Sequence, residues 1–281
     1  DLFAIRVRFR NELQPWLVKE GELRAELLQK IEALRERFKK AFGVSLPGVR
    51  FSADWNIVEA ANFVIDLDGI PMQQGWLDFV DEESVEAPLQ TLMELLEQNI
   101  QLHLADFIHY DSPEISAKFI GKSAVHASGF FQVVRMLLKQ KISVVRIDRI
   151  HEIYEAGVSA GKTIQDIARD IRCHPDIRLD LPVNSVMERA VRSLTPEQEA
   201  GILASTGRSL AGQQLWQIRP YDPVFNGILD FLPKEDFSIN SKGYFVSVGN
   251  PEVATLLSDL SPGTFFGREE ILYPPENEER N

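Results

Sequence analysis

The chain has 281 residues, 44% of them hydrophobic and 26% charged, the balance of an ordinary soluble globular protein with room for one large domain or about two to four small ones. Its net charge of −12 argues against nucleic acid, because phosphate binding needs a basic patch, and against simple adsorption to an anionic leaflet. No apolar run approaches the ~20 residues that span a bilayer, no signal peptide opens the chain, and the single Cys173 excludes an intrachain disulfide and agrees with a reducing compartment. The chain opens at Asp1 without Met, as a trimmed sequence would, so a membrane segment could lie outside it.

In chain order, Phe3 to Phe9 alternates strictly, with Phe3, Ile5, Val7 and Phe9 on one face and Arg6 and Arg8 on the other, so it predicts a half-buried strand. Gly21 precedes an expected helix from about Glu22 to Ala41. Leu23, Leu27, Leu28, Ile31, Leu34 and Phe38 make its apolar stripe, and Gly43 ends it. Val49–Ala53 and Asn62–Leu67 read as strands, and Asp68-Gly69 as a turn. The order β-α-β-β predicts a helix packed on a small mixed sheet. The basic groups Arg6, Arg8 and Arg10, and Arg35, Arg37, Lys39 and Lys40, read as solvated charge.

Pro88 to Tyr110 is expected to be a helix with Leu92, Leu95, Leu96, Asn99, Leu102, His103 and Phe107 inward, and Ser112-Pro113-Glu114 starts the next. From Gly129 to Gly157 two amphipathic helices form a hairpin broken at Lys141–Ser143. Phe130, Val133, Val134, Leu137 and Leu138 stripe the first. Ser143 caps the second, Val144, Ile147, Ile150, Ile153 and Tyr154 face inward, and Gly157 is the stop. Thr163 caps a helix to Cys173, and Asp180-Leu181-Pro182 reads as a linker and one hinge. Beyond it the pattern predicts helix for Val183–Leu194 and Pro196–Ala204, strand for Gln214–Ile218, helix for Pro223–Phe231, strand for Gly243–Val248, helix for Pro251–Leu260 and strand for Thr264–Phe266. The fold class is therefore mixed α+β: a small α/β subdomain at 1–111, a central helical subdomain at 112–181, a C-terminal α/β subdomain at 182–273, and a polar tail at 274–281.

Signals for chemistry are thin. Gly121-Lys122-Ser123 lacks the phosphate loop's earlier glycine, since Ser116 stands there, and no strand leads into it. His103, His109, His126, His151 and His174 are scattered without metal-ligand spacing, and His103 reads as a packing residue. Cys173 and His174 are neighbours, which gives no catalytic geometry. Thr163–Arg172 could open a helix-turn-helix, but Pro175 breaks the recognition helix. No catalytic, cofactor or metal residue is therefore assigned. Among Trp16, Trp55, Trp76 and Trp216, Trp55 stands out as an exposed anchor because Asp54 and Asn56 make a polar turn around it.

Several blocks resemble one family. LLQKIEALRERFKKAFGVSLPGVRFSADWNI, NFVIDLDGIPMQQGWL, HLADFIHYDSPEISAKFI, VVRMLLKQKISVVRIDRIHEIYEAG and GYFVSVGNPEVATLLSDLSPGTFFGREEIL are similar, in order and spacing, to segments of the cytosolic half of type III secretion export gates, the FHIPEP family. Lys141 to Asp148 stands where the family has a VSIRDL-type run, and His103 stands at the family's second histidine. Only Asp78 to Ala87 separates Leu77 from the next helix, so the inserted second subdomain usual in the family is expected to be missing and the first subdomain shortened.

The resemblance implies a non-enzymatic docking platform that forms a ring, nonameric in the family, at the cytoplasmic face of the bacterial inner membrane. It would receive substrates and chaperone–substrate complexes, meet the export ATPase complex and its stalk, and take part in substrate switching, in a flagellar or a virulence system. No cofactor and no nucleic acid is implied. Trp55, Asn56, Trp76, Phe79, Arg146 and Asp148 are the residues expected to touch partners. The competing expectations are a small-molecule enzyme with a cleft between the α/β subdomains, and a soluble adaptor that kept the fold.

Overall fold

The computed structural model describes residues 5–80, 85–109, 113–119, 123–185, 191–204, 206–208, 214–216, 245–260 and 263–272. The chain divides into two compact units, Asp1–Ser116 and Ala117–Asn281. Among the described residues no helix is long and apolar enough to cross a membrane.

In the first unit β1 (Ile5–Phe9) buries Ile5, Val7 and Phe9 and turns its arginines out, as strict alternation dictates; Phe3 lies outside the described residues. Next come a short pair, β2 (Val18–Lys19) and β3 (Glu22–Leu23), then α1 (Ala25–Phe42) and β4 (Val49–Ala53). β5 (Phe63–Leu67) and β6 (Ile70–Gly75) form a hairpin across Asp68-Gly69. The sheet runs β4-β1-β5-β6, with β1 parallel to β4 and antiparallel to β5. This is the mixed sheet expected, and Leu27, Ile31, Leu34 and Phe38 of α1 supply the buried helical stripe. Two residues depart from expectation. Leu23 is in β3, not in the helix, because it pairs with Val18; Leu28 lies on the exposed side of α1.

The second helix, α2 (Glu86–Leu102), lies beside α1, with Lys30 paired to Glu86 at 2.7 Å and Arg37 to Glu97 at 2.6 Å. It ends well before Tyr110. Leu104 and Ala105 are drawn inward by a 3-10 turn, which leaves Leu102 exposed rather than on the inner stripe.

In the second unit α3 (Ala124–Lys139), α4 (Ile147–Ser159) and α5 (Ile164–Cys173) pack together. The predicted stripe of α3 is buried throughout, and Thr163 caps α5, its hydroxyl accepting from the Asp166 N–H at 3.1 Å. Ser143 does not cap α4. Ile142 and Val144 are both buried, so the connection stays irregular until Ile147, and the Ser143 hydroxyl instead accepts from the Val145 N–H. Gly157 is not the stop either. It sits inside α4 facing α5, where an added Cβ would lie 2.5 Å from Cγ1 of Ile167. The left-handed residue after the helix is Gly161, at φ 71°, and the Lys162 N–H returns to the Gly157 carbonyl.

Val191–Ser193, expected as helix, is the strand β7, because it pairs in parallel with β10 (Phe245–Val248). Between them come α6 (Pro196–Ala204) and the antiparallel pair β8 (Thr206–Arg208) and β9 (Gln214–Trp216). After β10, α7 (Pro251–Leu260) crosses to β11 (Phe265–Gly267), giving a parallel sheet in the order β11-β10-β7. Leu194, Ile202, Val246, Val253, Leu257 and Phe265 form the core under it. The helix expected at residues 223–231 and the tail at 274–281 lie outside the described residues.

The linker expected at Asp180–Pro182 is held fast. Leu181 is fully buried, Asp180 pairs with Arg146, and Arg178 donates to the carbonyls of Glu270 at 3.1 Å and Ile271 at 2.5 Å. Asn184 completes the tie, donating to the Glu270 carbonyl at 2.7 Å and accepting from the Leu272 N–H at 2.8 Å. Polar side chains that satisfy backbone groups far along the chain make this a fixed turn, not a free joint.

Candidate functional site

The register of the first sheet places four strand ends side by side. Ala53 lies opposite Phe9, Phe9 opposite Phe63, and Phe63 opposite Gly75. The chain leaving β4 crosses this end: the Asp54 N–H donates to the Phe9 carbonyl at 2.8 Å, and the Asn62 N–H to the Gly75 carbonyl at 2.9 Å. Ile57 tucks under the crossing with Ala61 and Val64. Trp55 therefore starts the crossing at one edge of the sheet and Trp76 follows Gly75 at the other. At about 4.8 Å per strand spacing, the two edges are about 14 Å apart.

Trp55 is 84% exposed and Trp76 50% exposed. Trp55 rides on an Asx turn in which the Asn56 N–H donates to Oδ1 of Asp54 at 2.8 Å. The other oxygen of Asp54 accepts from Arg8 Nη1 at 2.7 Å, while Arg8 also grips the buried Asp66 of β5 through Nε at 2.5 Å and Nη2 at 2.8 Å. Arg8, read from sequence as solvated charge, thus fastens the Trp55 turn to the middle of the sheet. The signal for it was Asp66, an acid inside the apolar run NFVIDL that cannot be buried without a partner.

The Asn56 N–H and the Arg8 guanidinium hold the Asp54 carboxyl below its ordinary value of about 3.9. A carboxyl with a lowered folded-state pKa adds stability above its unfolded value, and that stability is lost as the pH falls through the folded one. Asp54→Asn is therefore expected to lose stability mainly at neutral pH and to approach the wild type as the pH falls below about 4, which flattens the acid side of its profile, as read by urea unfolding at stepped pH.

Trp76 is braced from behind. Asn62, itself buried, donates to the Leu77 carbonyl and accepts from the Leu77 N–H, both at 2.8 Å, and the Trp76 indole N–H donates to Asp78 at 3.2 Å. Phe79 is half-buried. It stacks on Trp16, with ring centroids 5.4 Å apart and planes 8° from parallel, so one face of its ring is covered within the unit. Sequence reasoning missed Val58, which is 55% exposed on the crossing between the two tryptophans.

Arg146 and Asp148 lie in the second unit. Both are exposed, and each has an ion-pair partner: Arg146 pairs with Asp180 at 2.8 Å, and Asp148 with Lys118. The histidines are less scattered in space than in sequence. Helix packing brings His126 of α3 and His151 of α4 onto the same oxygen of Glu155, at 2.9 and 3.0 Å. The Tyr154 hydroxyl donates to the His126 carbonyl at 2.7 Å, and Phe130 stands edge-on to His151 and Tyr154. Among the described residues no group of His, Cys, Asp or Glu has the arrangement of a metal site. Burial pushes the Cys173 thiol up to about 11, which leaves it protonated and a poor nucleophile at neutral pH.

No family model matches the sequence, and no curated protein matches it. Solved structures do match its fold. The CdsV protein of Chlamydia pneumoniae, also solved with CdsO, has a TM-score of 0.69 at 14% identity, covering 97% of this chain and 94% of its own. The MxiA protein of Shigella flexneri has a TM-score of 0.66 at 12% identity, with 95% and 94% covered. The nonameric SctV-C of EPEC has 0.64 at 10% identity, again with 95% and 94% covered. The chain thus carries, over nearly its whole length, the fold of the cytosolic domains of type III secretion export-gate proteins, and its mixed α+β class is theirs.

Proposed function

We propose that this chain is the cytosolic docking platform of a type III protein export gate, acting without catalysis of its own. The observation that carries the reading is a fold shared end to end with such domains: 97% of this chain against 94% of CdsV. Several copies form a ring, as SctV-C of EPEC does, beneath an export channel at the cytoplasmic face of the bacterial inner membrane. The ring receives substrates and chaperone–substrate complexes, meets other export components as CdsV meets CdsO, and helps set substrate order. Its working parts are the subdomains 1–111, 112–181 and 182–273. Movement between the last two has to open the ties that link Arg172 and Arg178 to Glu270 and Ile271.

Trp55, Asn56 and Trp76 form the docking surface at the sheet end, with Phe79 as a packed support; Arg146 and Asp148 form a second, polar contact. The test pairs particle-mass measurement on the full chain with capture of export chaperones and of the ATPase stalk component. A ring that captures at least one of them supports the reading. A strictly monomeric chain that captures none overturns it. Trp55→Ala is expected to weaken capture about 30-fold, the loss of roughly 2 kcal/mol typical of an anchoring tryptophan, without lowering stability, because the ring is solvated in the free chain.

A further inference from the structure

We infer that the end of the first sheet takes a partner segment that is apolar along one side and basic at its flanks. This rests on the docking reading above and adds the chemistry of the partner. The row of exposed apolar groups runs Trp55, Val58, Trp76 across the sheet end, on a crossing pinned at both edges by backbone hydrogen bonds. Fixed anchors lose little entropy when a partner arrives, which favours binding. At about 14 Å, the row matches about two to three turns of a helix laid across it.

The charge around this row is one-sided. Glu12 stands three residues past the end of β1, Glu59 lies on the crossing beside Val58, and Asp78 stands two residues past Trp76; all three are exposed. The nearby cations are already engaged within the unit. Arg8 is held by Asp54 and Asp66, and Arg10 donates to the Ile57 carbonyl at 3.0 Å. The whole chain carries −12. An apolar row with an acidic rim attracts Lys and Arg at the edges of an apolar segment and repels a segment with acidic flanks. That charge pattern also disfavours a second copy of this acidic chain as the occupant.

The test uses two labelled amphipathic peptides of about 18 residues, five helical turns, one built of Leu and Lys and the other of Leu and Glu. Fluorescence anisotropy is read on the wild-type chain, on Trp55→Ala, and on the pair Glu59→Lys with Asp78→Lys; circular dichroism checks that each variant stays folded. The Leu–Lys peptide is expected to bind, to weaken at least about tenfold in either variant, and to weaken as salt rises from about 50 to about 500 mM, while the Leu–Glu peptide does not bind. Equal binding of both peptides, or Leu–Lys binding unmoved by both variants, overturns the inference. So does a self-assembly that disappears with Trp55→Ala, since a second copy would then be the occupant. The two readings fail separately. A chain that captures export components but ignores the rim charges sinks only this inference. A chain that binds the peptide as described but forms no ring and captures nothing sinks only the export role.

Discussion

Glu270→Ala is expected to cost about 3–5 kcal/mol of unfolding free energy in the second unit, measured by guanidinium titration. Arg172 and Glu270 are both buried, and Arg172 Nη2 donates to the carboxylate at 2.5 Å. The same carboxylate oxygen accepts from the Gly267 N–H at 3.2 Å, and Arg172 also donates to Gln140 and lies over the Phe266 ring at 5.9 Å. Removing the carboxylate strands a guanidinium where water cannot reach it. Burial pushes the Glu270 carboxyl above its usual range, with Arg172 pulling the other way, so desolvation outweighs attraction at this pair. It follows that deleting both charges is milder than deleting one. Arg172→Met with Glu270→Leu is expected to recover most of the loss. A double variant no more stable than Glu270→Ala would show that the cost came from the Gly267 contact and packing, not from the stranded charge.

Gly157→Val is expected to destabilise the helical part by about 3 kcal/mol, at the upper end of what overpacking costs. A Cβ at this site would lie 2.5 Å from Cγ1 and 3.0 Å from Cδ1 of Ile167, and Ile167 is fully buried with nowhere to go. α4 and α5 must therefore separate, taking apolar surface out of contact. Ile167→Ala makes room at its own cost of about 2–5 kcal/mol, so the double variant should be less damaged than the sum of the two. Additive losses would mean that the helices do not meet at Gly157. Gly161→Ala is a useful contrast. Nothing lies within 4 Å of its would-be Cβ, but its φ of 71° strains any side-chain-bearing residue, so it should lose only about 1 kcal/mol and show no coupling to Ile167.

Of the candidate site, the parts set by near neighbours could be read early. Asp54 and Asn56 around Trp55 announce an exposed turn, and the turn is there. Phe79 could not be placed, because its partner Trp16 is far away in the chain. The same holds for the Arg8 clamp on Asp54 and Asp66, and for His126 and His151 on Glu155: each needs two elements already docked.

Sequence by itself determined the faces. The alternation of Ile5, Val7 and Phe9 and the helical stripes of Leu27–Phe38 and Phe130–Leu138 emerge buried as their periods require, because strand and helix geometry is local and repeats every few residues. Tertiary structure decided what each segment paired with. Leu23 joins a strand because Val18 is beside it, and Val191–Ser193 is a strand because β10 offers a free edge. Gly157 serves closeness rather than termination because Ile167 lies against it, and Asp180–Pro182 is a fixed turn because Leu181 is buried and its neighbours are tied to residues near 270. In each case the deciding energy is a contact with a residue outside the segment's own repeat, and no local pattern encodes which residue will arrive.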